Sequence, residues 1–117
     1  MSYKSSFPFE KRLEESTRIK NKHADRIPVV CEISKRQHDD LPKIDKSKFL
    51  VPTNLSVGHL LIVIRNRMKL SADKAIFLFV GDTIPPSTET IGAIYERFKD
   101  PDGFLYVSYS SENVFGY

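Results

Sequence analysis

Residues 56–69 read Ser56-Val57-Gly58-His59-Leu60-Leu61-Ile62-Val63-Ile64-Arg65-Asn66-Arg67-Met68-Lys69, and this stretch decides the fold. Serine is a preferred N-cap, so a helix is predicted to begin after Ser56 and to run through Lys69. Four apolar residues recur at helical spacing and predict one buried stripe: Val57, Leu61, Ile64 and Met68. Leu60 and Val63 lie beside this stripe, and we expect them to be more exposed.

Segments of strand length flank this helix along the chain. From residue 27 the predicted order is strand, strand, helix, strand, short helix, strand, at 27–33, 48–51, 56–69, 75–80, 91–98 and 104–109. This order indicates an α+β fold, the ubiquitin-like β-grasp, in which a small mixed sheet wraps around one helix. Residues 9–23 predict a further helix that a plain ubiquitin does not need, and Glu14 and Arg18 are spaced to pair on it.

The chain therefore divides into three parts. Residues 1–26 form an N-terminal helical extension, of which 1–7 carry no clear structural signal. Residues 27–110 form the β-grasp domain, and residues 111–117 form a flexible tail. The length of 117 residues fits one domain.

The composition is typical of a soluble globular protein, with 40% hydrophobic and 28% charged residues. Residues 1–50 carry a net charge of +4 and residues 51–117 carry −1. The basic half favours acidic partners or an anionic membrane surface, although a solvated helix face explains most of these charges. Cys31 is the single cysteine, which fits a reducing compartment. With no signal-peptide pattern and no apolar stretch of bilayer length, we expect synthesis in the cytosol.

No pattern of enzyme chemistry is present. Cys31 lies in an apolar strand and is expected to be a buried small hydrophobe. Three histidines share no metal-ligand spacing with it: His23, His38 and His59. The acidic pair at 39–40 lies in a predicted loop, and the chain has no phosphate loop or dinucleotide fingerprint. We therefore expect a protein that is not an enzyme and holds no metal or cofactor.

Short motifs occur in a fixed order along the chain. They are Phe9-Glu10-Lys11-Arg12, Asp25-Arg26-Ile27-Pro28-Val29, Asp45-Lys46, Phe49-Leu50-Val51-Pro52, Val57-Gly58, Ile64-Arg65, Ala75-Ile76-Phe77, Pro85-Pro86, Ala93-Ile94-Tyr95 and Gly103-Phe104-Leu105-Tyr106. With a penultimate glycine, this set closely resembles the ubiquitin-like autophagy modifiers, the group that includes microtubule-associated light chain three and the GABA-receptor-associated protein. The resemblance covers residues 7–117. It departs in a longer loop at 34–44, in Leu60 where an aromatic residue is common, and in 87–92, which bears on partner preference.

The resemblance assigns the chemistry to Gly116 and Tyr117. It implies that a cysteine protease removes Tyr117, that ubiquitin-like activating and conjugating enzymes act on Gly116, and that Gly116 is joined to phosphatidylethanolamine. The lipidated protein would move from the cytoplasm to the autophagosome membrane. The tail fits this role because glycine has no Cβ and can thread a narrow enzyme channel. A frayed terminus that happens to contain glycine is the alternative.

The strand at 48–52 is the second predicted site. Alternation places Lys48 and Leu50 on one face and Phe49 and Val51 on the other. If this strand is an edge, an extended peptide can pair with it. Side chains three apart in such a peptide point to opposite faces, so an aromatic-x-x-aliphatic segment needs a pocket on each face.

The resemblance supplies the residues of both pockets and of a protease contact, and the charges of the chain add a flank to the pockets. It implies an aromatic pocket of Glu15, Ile19, Pro28, Val30, Lys48, Leu50 and Phe104. It implies an aliphatic pocket of Phe49, Val51, Pro52, Leu55, Leu60, Val63 and Ile64. Lys46, Lys48 and Arg67 could attract acidic residues that flank the ligand. Phe77 and Phe79 share one side of their strand, where the resemblance implies contact with the protease and packing alone is the alternative.

The expected partners are therefore autophagy receptors that carry the aromatic-x-x-aliphatic motif, and the protein is expected to be monomeric. Two other functions stay open. The first is a peptide-binding adaptor of ubiquitin-like fold that is never conjugated. The second is a basic protein associated with microtubules or RNA, although no nucleic-acid motif accompanies the charge and no specific nucleic acid is expected.

Overall fold

The structure is a computed structural model that describes residues 2–34, 41, 44 and 47–111. Its helices are α1 (Tyr3–Ser6), α2 (Phe9–Lys22), α3 (Val57–Met68) and α4 (Ile91–Phe98). Its strands are β1 (Arg26–Ile33), β2 (Lys48–Pro52), β3 (Phe77–Phe79) and β4 (Leu105–Ser110). The predicted order of elements from residue 27 onward is confirmed. Across the described residues, no helix has both the length and the apolar character needed to cross a bilayer.

The strands form one mixed sheet in the order β2-β1-β4-β3. The central pair, β1 and β4, is parallel, with Val29 opposite Leu105. Both outer pairings are antiparallel, so β2 and β3 lie at the two edges. The sheet confirms the β-grasp prediction and makes β2 the edge strand that peptide binding requires. β3 is shorter than the predicted 75–80 because its pairing with β4 covers only residues 77–79.

Each face of the sheet carries a hydrophobic cluster, because successive strand residues point to opposite faces. On the inner face, β1 contributes Val29 to a large cluster with the buried residues of α3 and α4. On the outer face, Val30 packs with Ile19 of α2 and with Phe104, and Tyr3 and Tyr106 lie against them. The N-terminal extension therefore packs on the sheet, as the assignment of Glu15 and Ile19 to the aromatic pocket requires.

The buried stripe of α3 differs from the predicted one. Leu60 is 1% exposed and Leu61 is only partly buried, so the expectation that Leu60 is exposed is wrong. Successive residues are about 100° apart around a helix, which places these two leucines on opposite sides of the stripe. A small rotation of α3 exchanges their burial, and the spacing alone cannot fix that rotation.

Residues 1–7 carry no clear structural signal in the sequence, but they contain α1. A helix of one turn is not stable by itself. Contacts with distant residues hold it in place: the Tyr3 N–H donates to Glu32 Oε2 over 2.6 Å, and Lys4 Nζ lies 2.6 Å from Asp100 Oδ1. Such contacts leave no local signal in the sequence.

The first turns of α3 and α4 hydrogen-bond to each other's leading segments. Ser56 caps α3 as predicted, accepting a bond from the backbone of the first turn. The Val57 N–H donates to the Glu89 carbonyl, and the Ile91 N–H donates to the Leu55 carbonyl, both over 2.8 Å. The backbone N–H groups at the start of a helix have no acceptor within that helix. Here the segment before the other helix supplies a carbonyl acceptor in each case.

Lys69 ends α3 in the left-handed conformation, with φ 56° and ψ 39°. This conformation costs a residue with a side chain about 1–2 kcal/mol, whereas glycine adopts it freely. We expect Lys69→Gly to raise the free energy of unfolding by about 0.5–1 kcal/mol, measured by urea denaturation. Lys99 ends α4 at φ −59°, so Lys99→Gly is the matched control and should destabilise. A loss of stability in both variants would contradict the prediction.

Candidate functional site

A cavity of about 380 Å³ lies on the outer face of the sheet, between α2 and β2. It is lined by Arg18, Ile19, Lys22, His23, Pro28, Lys48, Phe49, Leu50 and Phe104. Most of the residues predicted for the aromatic pocket meet here. Among them Leu50 keeps 39% of its surface exposed, whereas Pro28 and Phe104 are buried beneath it.

Two residues predicted for the aromatic pocket do not line the cavity. Val30 is fully buried in the outer cluster, so it supports the floor without reaching the surface. Glu15 lies between two cations at the rim: Arg18 Nε donates to it over 2.9 Å, and Lys48 Nζ lies 3.6 Å away. The hydrogen bond from Arg18, followed by the charges of Arg18 and Lys48, lowers the pKa of Glu15. Arg18 thus bonds to Glu15, whereas the spacing had predicted a pair with Glu14.

The edge of the sheet runs beside this cavity. Among the described residues, β1 is the only strand that pairs with β2, with Pro28 opposite Leu50 and Val30 opposite Lys48. Val51 belongs to the inner cluster while Leu50 lines the outer cavity, as the predicted alternation requires, and Phe49 both packs against the inner cluster and lines the cavity. An extended peptide laid along β2 would therefore present alternate side chains to the cavity and to the inner side.

The residues predicted for the aliphatic pocket divide into two groups. Three of them are core residues with at most 3% of their surface exposed: Val51, Leu60 and Ile64. The other four are only partly buried: Phe49, Pro52, Leu55 and Val63. Only the second group has surface for a ligand, and the assignment of this group to a pocket stays a prediction.

The remaining predicted sites are only partly described. Phe77 is partly buried and Phe79 is 3% exposed, so this pair offers little surface to a protease. Arg67 is exposed on α3. Lys46, the acidic pair at 39–40, Gly116 and Tyr117 lie outside the described residues.

Cys31 is fully buried in the inner cluster. Burial, and then the charge of Glu32, raises the pKa of its thiol to about 12. The thiol therefore stays protonated at neutral pH and is a poor nucleophile. Within the part of the chain that the structure describes, no group of three or more His, Cys, Asp or Glu residues could hold a metal ion.

Sequence reasoning missed the cationic rim of the cavity. Arg18, Lys22 and His23 line it, but only Glu15 and Ile19 were predicted from α2. Helix spacing could have identified them, because residues three and four after Glu15 or Ile19 lie on the same face. In the described ranges of the chain, the rim carries the positive charges of Arg18, Lys22 and Lys48 and one carboxylate, that of Glu15. This excess of positive charge favours a ligand with acidic residues beside its aromatic side chain.

Comparison with known proteins gives consistent matches. A family model described as "Autophagy protein Atg8 ubiquitin like" matches residues 11–116. Autophagy-related protein 8 of Kluyveromyces lactis is 57% identical over 115 residues, which are 98% of this chain and 91% of that protein. The Saccharomyces cerevisiae protein of the same name is 54% identical over 115 residues, 98% of this chain and 97% of that protein. The crystal structure of Trypanosoma brucei ATG8 has a TM-score of 0.87 at 40% identity, covering 94% of this chain and 93% of that one.

Proposed function

This chain belongs to the Atg8 family and is a ubiquitin-like modifier of autophagy, and from that premise we propose two further steps. It is conjugated through Gly116 to phosphatidylethanolamine, and on the membrane it captures receptors that carry an aromatic-x-x-aliphatic segment. The observation that carries the second step is the position of a cavity beside the edge strand β2.

Conjugation requires a free carboxyl group on Gly116, so a protease must first remove Tyr117. The activating enzyme first joins the Gly116 carboxylate to the AMP of ATP, which releases pyrophosphate. An enzyme thiol then displaces the AMP, and the activating and conjugating enzymes hold the glycine as a thioester. The amine of phosphatidylethanolamine attacks that carbonyl, an amide bond forms, and the enzyme thiolate leaves. In this scheme the chain is a substrate rather than an enzyme. The two acyl chains of the lipid suffice for stable anchoring, which moves the protein from the cytoplasm to the autophagosome membrane.

Receptor capture uses the geometry of β2. A bound segment adds a strand at the open side of β2, and its aromatic side chain enters the cavity between Ile19 and Leu50. The residue three positions later points to the opposite face, toward Leu55 and Val63. Acidic residues before the aromatic one would face the cations of α2 and accelerate association more than they strengthen binding.

A spacing series tests receptor capture. Peptides with the aromatic and aliphatic residues three apart are expected to bind at least about tenfold more tightly than peptides with them two or four apart. Residues two or four apart in an extended peptide point to the same face of the sheet, and each face carries only one pocket. Isothermal titration calorimetry measures the affinities, and equal values across the series would exclude pairing along β2.

Matched variants locate the two pockets. Leu50→Ala should weaken binding of the three-apart peptide by about 1–3 kcal/mol, because it removes contacts with the aromatic residue. Leu55→Ala should weaken binding of the same peptide because it removes contacts with the aliphatic residue. Ile84 has the same 39% exposure as Leu50 and lies in neither predicted pocket, so Ile84→Ala is the control. Each variant is first shown to be folded by circular dichroism.

A peptide-binding adaptor that is never conjugated is the second candidate. It is favoured by the fact that β2 and its cavity lie within the folded body and need no lipid. Mass spectrometry of the protein from starved cells separates the two functions. Loss of Tyr117 with a lipid on Gly116 supports the modifier, and an unprocessed C-terminus supports the adaptor.

A further inference from the structure

Asp102 is a fully buried carboxylate in the turn before β4. A buried charge is tolerated only when donors surround it, and three donors do so here. Arg12 Nη1 donates to Oδ2 over 2.6 Å, the Tyr106 hydroxyl donates to Oδ2 over 2.5 Å, and the Phe104 N–H donates to Oδ1 over 2.9 Å. Burial, and then the hydrogen bond to this carboxylate, raises the pKa of Tyr106, so its hydroxyl stays protonated as a donor.

These donors join α2 to the turn and strand that carry the floor of the aromatic cavity. Arg12 lies two turns before Ile19 on α2, and Ile19 forms one wall. Phe104 forms the floor, packed directly against Ile19 in the outer cluster, and Leu50 of β2 forms the facing wall. A second link joins the same elements, because the Ser16 hydroxyl of α2 donates to the backbone carbonyl of Asp102 over 2.5 Å. The carboxylate and its backbone thus hold the α2 wall over the floor through direct bonds, while the sheet holds Leu50 of β2 in place beside that floor.

We propose that Asp102 is a positioning residue that sets the separation of these walls and thereby gives the cavity its preference for an aromatic over an aliphatic side chain. The inference deepens the proposed capture of receptors and rests on it. An aromatic ring is flat and rigid, so both of its faces make contact only where the separation of the cavity walls matches the thickness of the ring. A branched aliphatic side chain is smaller and loses less contact when the walls move apart.

The test uses Asp102→Asn, which keeps the shape of the side chain and removes the charge that holds Arg12. Its control is Asp100→Asn, in the same turn, whose carboxylate pairs with Lys4 and accepts the Asp102 N–H over 3.1 Å, an interaction that an asparagine oxygen can keep. Calorimetry on the full chain gives the affinities of two synthetic acidic peptides, one with a Trp-x-x-Leu core and one with Leu-x-x-Leu. The readout is the ratio of the two affinities. Partial unfolding lowers the active concentration equally for both peptides, so a purely structural role leaves this ratio unchanged.

We expect Asp102→Asn to lower the ratio by about tenfold and Asp100→Asn to leave it within about twofold of wild type. Ser16→Ala removes only the second link, and we expect it to lower the ratio by about threefold. This variant tests the inference even where Asp102→Asn does not fold. An unchanged ratio in a folded Asp102→Asn or Ser16→Ala variant would overturn the inference. If the wild-type chain binds neither peptide, the proposed receptor capture fails first, and the two failures are therefore distinguishable.

Discussion

Gly116→Ala is expected to abolish attachment to phosphatidylethanolamine. The added methyl group clashes in enzyme channels shaped for glycine, and it crowds the carbonyl that the amine must attack. Chains ending at residue 116 are incubated with the activating and conjugating enzymes, ATP and vesicles that contain phosphatidylethanolamine. Flotation of the vesicles and the intact mass of the protein measure the product. The effect should be close to complete loss.

Asn113→Ala is the matched control, because it changes a residue of the same tail without touching the reacting carboxyl group. It should be conjugated at the wild-type rate. The Gly116→Ala chain should bind aromatic-x-x-aliphatic peptides normally, since none of the residues predicted to bind them belongs to the tail. Conjugation of the alanine variant at the wild-type rate would contradict the prediction, since attachment would then not depend on glycine at position 116.

Gly103→Ala is expected to lower the free energy of unfolding by about 2–5 kcal/mol. Gly103 has φ +90°, where a residue with a side chain is strained. A Cβ at this position would lie 2.3 Å from Ser16 Oγ and 2.9 Å from Ser16 Cβ, so α2 would have to move away from the turn. Urea denaturation followed by circular dichroism gives the change in stability.

Gly81→Ala separates strain from close contact. Gly81 has φ +60°, but a Cβ there would meet no atom within 4 Å. Its replacement should cost only the conformational term, about 1–2 kcal/mol. Equal losses in the two variants would mean that the approach of Ser16 to Gly103 contributes nothing to the docking of α2.

The features predicted correctly are those that depend on nearby residues. The order of strands and helices, the Ser56 cap and the family assignment all followed from short motifs and spacing, and they are confirmed. The alternation along β2 also needed only the period of a strand. Ile19 was placed at the aromatic cavity by the family resemblance, and it lines that cavity.

The features that were missed depend on contacts between distant residues. Arg12 and Asp102 are 90 positions apart, and their pairing depends on how α2 docks on the sheet. The four-residue helix α1 is held by Glu32 and Asp100, which a local pattern cannot reveal. The burial of Leu60 rather than Leu61 is likewise decided by packing, because the helical period permits either residue to face the core.

The two hydrophobic clusters separate folding from recognition. Val29 faces the cluster that holds α3 and α4 against the sheet, and its neighbour Val30 faces the cluster beneath the aromatic cavity. Substitutions around the cavity, at Arg18, Lys22 or Leu50, leave the inner cluster intact. After gene duplication, substitutions around the cavity can therefore change which partners bind while the fold stays the same. Protein engineering can change the bound partner in the same way.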